Sequence, residues 1–248
     1  MPSDYVGRER SLTEQVMEYV RDSTLNGELK TGEWYSVYQL SDRPGISRSP
    51  VRDALLRLEE AGLIQFTRNR GFQLVETHPE DIAEIFSLRL AIEPAAAYRA
   101  ALQRTAEELE EGDRILKAMA TCVEENDEEM FFLHDRSLHE LILRMGNSFR
   151  GAELVDRLRD HTRILGPSTA ETSRPLQVIL EEHEPVLSAI RRGSAEIAKA
   201  SMREHLQTTG KLLLSQAIIR TQATLDTKSS SENAAATEKI WEEFASGV

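Results

Sequence analysis

The chain of 248 residues is 40% hydrophobic and carries a formal charge of -12, which allows two ordinary domains with separate cores and excludes disorder of the whole. That acidity argues against indiscriminate nucleic-acid binding, and the single Cys122 excludes an internal disulfide framework. No apolar run approaches the ~20 residues that span a bilayer, and Asp4 and Glu9 stand where a signal peptide would carry its apolar core; a cytoplasmic protein with no membrane contact is expected.

From Glu9 to about Thr24, Leu12, Val16, Tyr19 and Val20 recur at helical spacing, and Asn26-Gly27 supplies a stop. A short second helix is predicted from Ser36 to Arg43, Pro44-Gly45 turns the chain, and a third helix begins near Ser47. In it Val51, Leu55 and Leu58 form an apolar stripe, while Arg48 and Arg52 lie four apart on another face. At this end of a helix-turn-helix an arginine fork can donate to guanine O6 and N7, and Ser47, Ser49 and free N–H groups suit phosphate oxygens. Residues 43–70 set Arg43, Arg48, Arg52, Arg57, Arg68 and Arg70 against only Asp53, Glu59 and Glu60, a basic segment in an acidic protein.

Residues 63–68 and 72–76 are rich in β-formers around Asn69-Arg70-Gly71, which predicts a hairpin wing with a flexible glycine at its tip. Arg68 and Arg70 there suit a phosphate or minor-groove contact, the alternative being a solvated turn. Thr77-His78-Pro79-Glu80 marks a boundary, so a DNA-binding domain is expected over residues 1–77. The run Ser47-Arg48-Ser49-Pro50-Val51-Arg52-Asp53-Ala54-Leu55 resembles the signature of GntR-family transcription regulators, and the resemblance extends through residues 9–77. It implies DNA contacts from Arg48 and Arg52 and a wing glycine at Gly71. Val37-Tyr38-Gln39 departs from the Glu-Arg-Glu-like run usual before Leu40, and Pro44 stands where a leucine is usual, which implies an atypical operator.

Beyond the boundary, helices are predicted at about 80–102, 105–125, 127–145, 147–165, 174–191 and 194–220, with no convincing strand. An antiparallel α-helical bundle over residues 78–220 follows, with Pro94 and Pro185 expected to bend their helices. Asp135 and His139, four apart, leave one helix face together, and His183 and His205, each eleven residues from Ser194, come level in a helical hairpin. Three imidazoles and a carboxylate suit a divalent transition metal, Zn²⁺ or Ni²⁺ foremost, with positions left for water or a small-molecule oxygen.

Residues 80–220 resemble the FadR-type C-terminal ligand-binding (FCD) domain, in the subgroup with an Asp-x-x-x-His helix and two later histidines. The resemblance implies a metal in the bundle cavity whose coordination a small organic acid completes, with Arg89 and Asn147 as effector-side residues. Arg89 has a second possible role, an intrahelical ion pair with Glu93, and Asn147 a second role as a helix cap. In the tail, residues 221–248, Ala236, Ile240, Trp241 and Phe244 share a helical face, disorder being the alternative.

The sum is a mainly α chain with a winged helix-turn-helix of three helices and a β-hairpin wing, then a helical bundle. The function expected is a homodimeric repressor that binds a pseudo-palindromic DNA operator and answers to a small carboxylate, not an enzyme. The alternative is a metal-dependent hydrolase, which needs a general base beside the metal; no His-Glu-x-x-His motif is present.

Overall fold

The computed structural model describes residues 11–25, 27–42, 47–60, 62–75, 78–165, 174–223 and 230–245. The expected stop at Asn26, the Pro44-Gly45 turn, Thr77 of the boundary and Lys228-Ser229 at the start of the tail lie outside the described residues. The chain divides into two compact units, residues 1–78 with 157–166 and residues 79–156 with 167–248.

In the first unit α1 (Leu12–Leu25), β1 (Trp34–Tyr35), α2 (Val37–Asp42), α3 (Arg48–Glu60), β2 (Ile64–Thr67) and β3 (Gly71–Leu74) follow one another. Val16 and Val20 of α1, Leu40 of α2 and Val51, Ala54, Leu55 and Leu58 of α3 close one core with Phe72 and Leu74. The apolar stripe read from the spacing of α3 is therefore the face it buries. The wing is an antiparallel sheet in the order β1-β3-β2, with Phe72 opposite both Tyr35 and Phe66. β1 is an addition to the predicted hairpin, because two residues are too few to show a period of two.

Gly71 has φ 97°, and a Cβ there would stand 2.1 Å from the Tyr35 carbonyl oxygen. This glycine lets β3 lie against β1, a role any side chain would block. Glu59 of α3 accepts a hydrogen bond from the Phe66 amide at 3.0 Å, tying the wing to the helix before it.

Beyond His78 the described elements are all helices: α4 (Pro79–Gln103), α5 (Ala106–Glu125), α6 (Glu128–Met145), α7 (Phe149–Leu165), α8 (Leu176–Arg192), α9 (Ala195–Ala223) and α10 (Ser230–Ala245); the second unit holds them all except α7 from Arg157 on, which belongs to the first. α4 is central and packs on α6, α8, α9 and α10; its fully buried Ala96, Ala97, Ala100 and Ala101 let neighbouring backbones approach closely. Thr105 and Glu108 form a capping box at the start of α5, and the Asp127 carboxylate accepts from the Met130 amide at the start of α6. Left-handed Gly193 ends α8 and sets the α8–α9 hairpin. Pro94 and Pro185 lie inside α4 and α8 without ending them; packing of these helices offsets the lost backbone bond.

The tail is helical where it is described. Thr237, Trp241 and Ala245, spaced by one turn each, are the buried residues of α10, so the predicted face is centred on Trp241 and turned toward Thr237. The Trp241 ring stands 6.3 Å from Phe86 of α4 and fills the space where a Cβ at Gly210 of α9 would be, only 2.5 Å away. Lys211 and Glu238 pair at 2.7 Å. Trp241→Ala should remove roughly 3–5 kcal/mol from the stability of this unit, read as an earlier urea transition by far-UV circular dichroism of the full chain. A shift equivalent to under about 0.5 kcal/mol would mean that α10 contributes nothing to the fold.

Candidate metal centre and DNA-contacting face

Burying Val51, Leu55 and Leu58 turns the opposite face of α3 outward. Ser47, Arg48, Ser49 and Arg52 are all exposed, as are Arg68 and Arg70 on the wing. The Arg48 guanidinium lies 4.9 Å from the Tyr38 ring centroid on α2, and that of Arg70 lies 4.8 Å from the Trp34 ring on β1. Stacking on an aromatic face restricts a long side chain while leaving its N–H fork able to donate. Both aromatic platforms escaped the sequence reading, which took Tyr38 only as part of the departure from the usual run before Leu40.

In the second unit four side chains converge from three helices. Asp135 and His139 come from α6, His183 from α8 and His205 from α9, and each is at most 5% exposed. Among the described residues these four present ligand atoms all within 4.8 Å of one another. The Asp135 Oδ1 lies 2.9 Å from His183 Nε2 and 3.9 Å from His139 Nε2, and the two Nε2 atoms are 3.4 Å apart. The His183 and His205 rings, level across the hairpin, have centroids 4.3 Å apart.

The other nitrogen of each ring is engaged elsewhere. His139 Nδ1 donates to Glu93 Oε2 at 2.5 Å, His183 Nδ1 to the Ile179 carbonyl at 2.7 Å, and His205 Nδ1 to Glu182 Oε2 at 2.9 Å. All three partners are acceptors, so each neutral imidazole carries its hydrogen on Nδ1 and an unshared pair on Nε2. Burial pulls the His205 imidazolium well below its ordinary range, and His183, His139 and Arg89 add to this against the opposing Asp135. A neutral ring is the form that can ligate a metal. Burial alone would raise the Glu93 carboxyl, but Arg89 and His139 outweigh it and hold the group at about 2.

Arg89 is 4% exposed, donates from Nε to Glu93 Oε1 at 2.6 Å and stacks on Phe86 at 4.9 Å. The ion pair with Glu93 is thus present, and the Arg89 charge also reaches His205. Asn147 is exposed, left-handed at φ 52°, and its side-chain amide donates to Gln103; the structure does not bring it together with the buried histidines. Glu182 and Arg174, which pair at 2.6 Å, and Glu93 as a histidine partner were missed. A carboxylate inside the apolar stretch Leu90-Ala91-Ile92-Glu93-Pro94-Ala95 was the available signal for Glu93. Glu182 and His205 come from different helices and gave none.

A family model for the FCD domain matches residues 84–208, and one for bacterial regulatory proteins of the gntR family matches residues 12–74. The HTH-type transcriptional regulator LutR of Bacillus subtilis is 31% identical over 213 residues, covering 76% of this chain and 94% of that protein. The HTH-type transcriptional repressor RspR of Escherichia coli is 24% identical over 196 residues, covering 79% of this chain and 86% of that protein. Among solved structures, Escherichia coli McbR/YncC superposes with a TM-score of 0.66 at 24% identity, over 84% of this chain and 99% of that one, a likeness of fold. These relatives are transcriptional regulators, not enzymes, against the hydrolase alternative. The chain belongs to the GntR family of bacterial transcriptional regulators, with an FCD domain as its C-terminal part.

Proposed function

We propose that the protein is a homodimeric repressor whose FCD domain holds a divalent metal at Asp135, His139, His183 and His205 and answers to a small carboxylate. The observation that carries this is the convergence of acceptors. With every Nδ1 hydrogen engaged, the Nε2 pairs and the Asp135 carboxylate face one another, and like-signed groups at these separations repel unless positive charge lies among them. Metal–ligand bonds of about 2.0–2.2 Å place neighbouring donor atoms roughly 3–3.6 Å apart, and the observed separations of 2.9, 3.4 and 3.9 Å bracket that range. The N₃O donor set suits Zn²⁺ or Ni²⁺. Such an ion, when bound, would supply a Lewis-acid site for a carboxylate oxygen.

Charge balance supports an anionic effector. Among the described residues, the carboxylates Glu93 and Glu182 pair with Arg89 and Arg174 while Asp135 meets His183, so with neutral imidazoles these groups sum to one negative charge and a divalent ion would make the sum one positive. A monocarboxylate would neutralise it, with Arg89 as the nearby fixed cation. An effector that binds one arrangement of α6, α8 and α9 more tightly than another would shift the protein between DNA-binding and released forms. We assign residues 1–77 to the DNA-binding domain, 78–220 to the effector domain and 221–248 to the tail, and place the protein in the cytoplasm. A symmetric dimer would meet the half-sites of a pseudo-palindromic operator with α3, through Ser47, Arg48, Ser49 and Arg52, and with the wing through Arg68 and Arg70.

Elemental analysis and native mass spectrometry of untagged protein purified without chelator test the centre. Near-stoichiometric divalent metal is expected, lost in His139→Ala and His205→Ala, and any retained acid should appear as extra mass. No metal after reconstitution, or an unchanged carboxylate response in metal-free His183→Ala, would overturn the reading. Arg52→Ala should cost about 1–3 kcal/mol of operator affinity, measured by fluorescence anisotropy beside random DNA; equal losses on both would make Arg52 a phosphate contact. Tyr38→Ala, which removes the platform under Arg48, should cost about 0.5–1 kcal/mol on the operator, and an unchanged affinity would show that Arg48 needs no support.

A further inference from the structure

We infer that Glu93 and Glu182 are the positioning residues of the metal centre, each carboxylate holding one ligand imidazole by its Nδ1–H and each anchored by an arginine. This rests on the metal reading above. Two chains of hydrogen bonds carry it. In one, Arg89 Nε donates to Glu93 Oε1 at 2.6 Å, and His139 Nδ1 donates to Glu93 Oε2 at 2.5 Å. In the other, Arg174 Nη1 donates to both Glu182 oxygens at 2.6 Å, and His205 Nδ1 donates to Oε2 at 2.9 Å. The Arg174 guanidinium is itself pinned to Thr209 Oγ1 at 3.3 Å.

Each chain crosses between helices. Glu93 on α4 orients a ligand on α6, and Glu182 on α8 orients one on α9. His183 is held differently, by the Ile179 carbonyl one turn back in its own helix. A carboxylate is a stronger acceptor than a carbonyl, so it locks the tautomer and the ring plane and raises the basicity of Nε2. The arginine keeps the carboxylate from turning away or taking up the hydrogen itself. His139 and His205 are therefore the imidazoles that residues outside the ligand set tune, whereas the hold on His183 belongs to the backbone.

Glutamine is the informative replacement. In Glu93→Gln the side chain would keep its shape, but Arg89 and His139 bond different carboxylate oxygens, so one of these donors would face the new NH₂ group. The experiment is a cobalt(II) titration of the full chain against a chromophoric chelator, with the d–d absorption recorded and imidazole tautomers followed in ¹⁵N-histidine-labelled metal-free protein. Glu93→Gln and Glu182→Gln should each weaken cobalt binding about 10–100-fold and alter the absorption envelope. The double variant should lose more than either single variant, and its departure from the product of the two reads how far the rings, 5.2 Å apart, couple through the shared ion. Arg174→Gln should shift affinity in the same direction.

Glu93 is fully buried and its variant can fail to fold. Glu182, with a side chain 21% exposed, then carries the test, with circular dichroism as the control for folding. Folded Glu182→Gln or Glu93→Gln protein with wild-type affinity, absorption and tautomers overturns the inference and leaves the metal reading standing. A loss of thermal stability without those changes also overturns it, since the carboxylates would then be structural only. A wild-type chain that takes up no cobalt overturns the metal reading and the inference with it.

Discussion

One carboxylate and three imidazoles meet in the middle of the C-terminal helical bundle, each ring with an acceptor behind its Nδ1, and much of that unit's organisation serves to satisfy this buried polar group. The fully buried Leu138, Ile142, Met202 and Leu206 lie on the same helices as Asp135, His139 and His205, so the bundle has closed around a polar group that costs free energy unless it is satisfied. α4 resolves much of this. It packs on the three helices that bear Asp135 and the three histidines, and along its own length it carries both Arg89 and Glu93. Its alanines allow those helices close enough for side chains from separate elements to meet.

The N-terminal unit answers a different demand. Its core of valine, leucine and phenylalanine exists to hold a short row of arginines outward on one helix and one turn. Gly71 brings β3 against β1, and this joins Trp34 to the same sheet as the wing tip beside Arg70. Tyr38 does the same for Arg48 from α2. In a chain of net charge -12, a locally basic surface attracts DNA against the acidic balance of the whole, which favours an oriented encounter over indiscriminate binding.

Much of this was legible in the residues themselves. The turn-spaced apolar positions of α1 and α3 gave the helix-turn-helix core, and the equal distances of His183 and His205 from the α8–α9 turn placed the two rings level by spacing alone. β1 escaped because two residues hold no pattern. The tail was read as either helix or disorder, since Trp241, Ile240 and Phe244 have an amphipathic spacing whose meaning depends on a seat. That seat is the space over Gly210 beside Phe86, supplied by residues 31 and 155 positions earlier in the chain.

By itself the sequence determined which residues could serve: the arginines of α3, the one-turn spacing of Asp135 and His139, the family and the succession of helices. These are local properties, set by helical geometry and the ~1.5 Å rise per residue. Tertiary structure alone decided which nitrogen of each histidine faces inward, that Glu93 and Glu182 hold two of the rings, and that Arg89 is bound to Glu93. The physical reason is that a tautomer is chosen by the partner on the far side of the ring. For His139 and His205 that partner stands on another helix, 46 and 23 residues away, where no periodicity reaches.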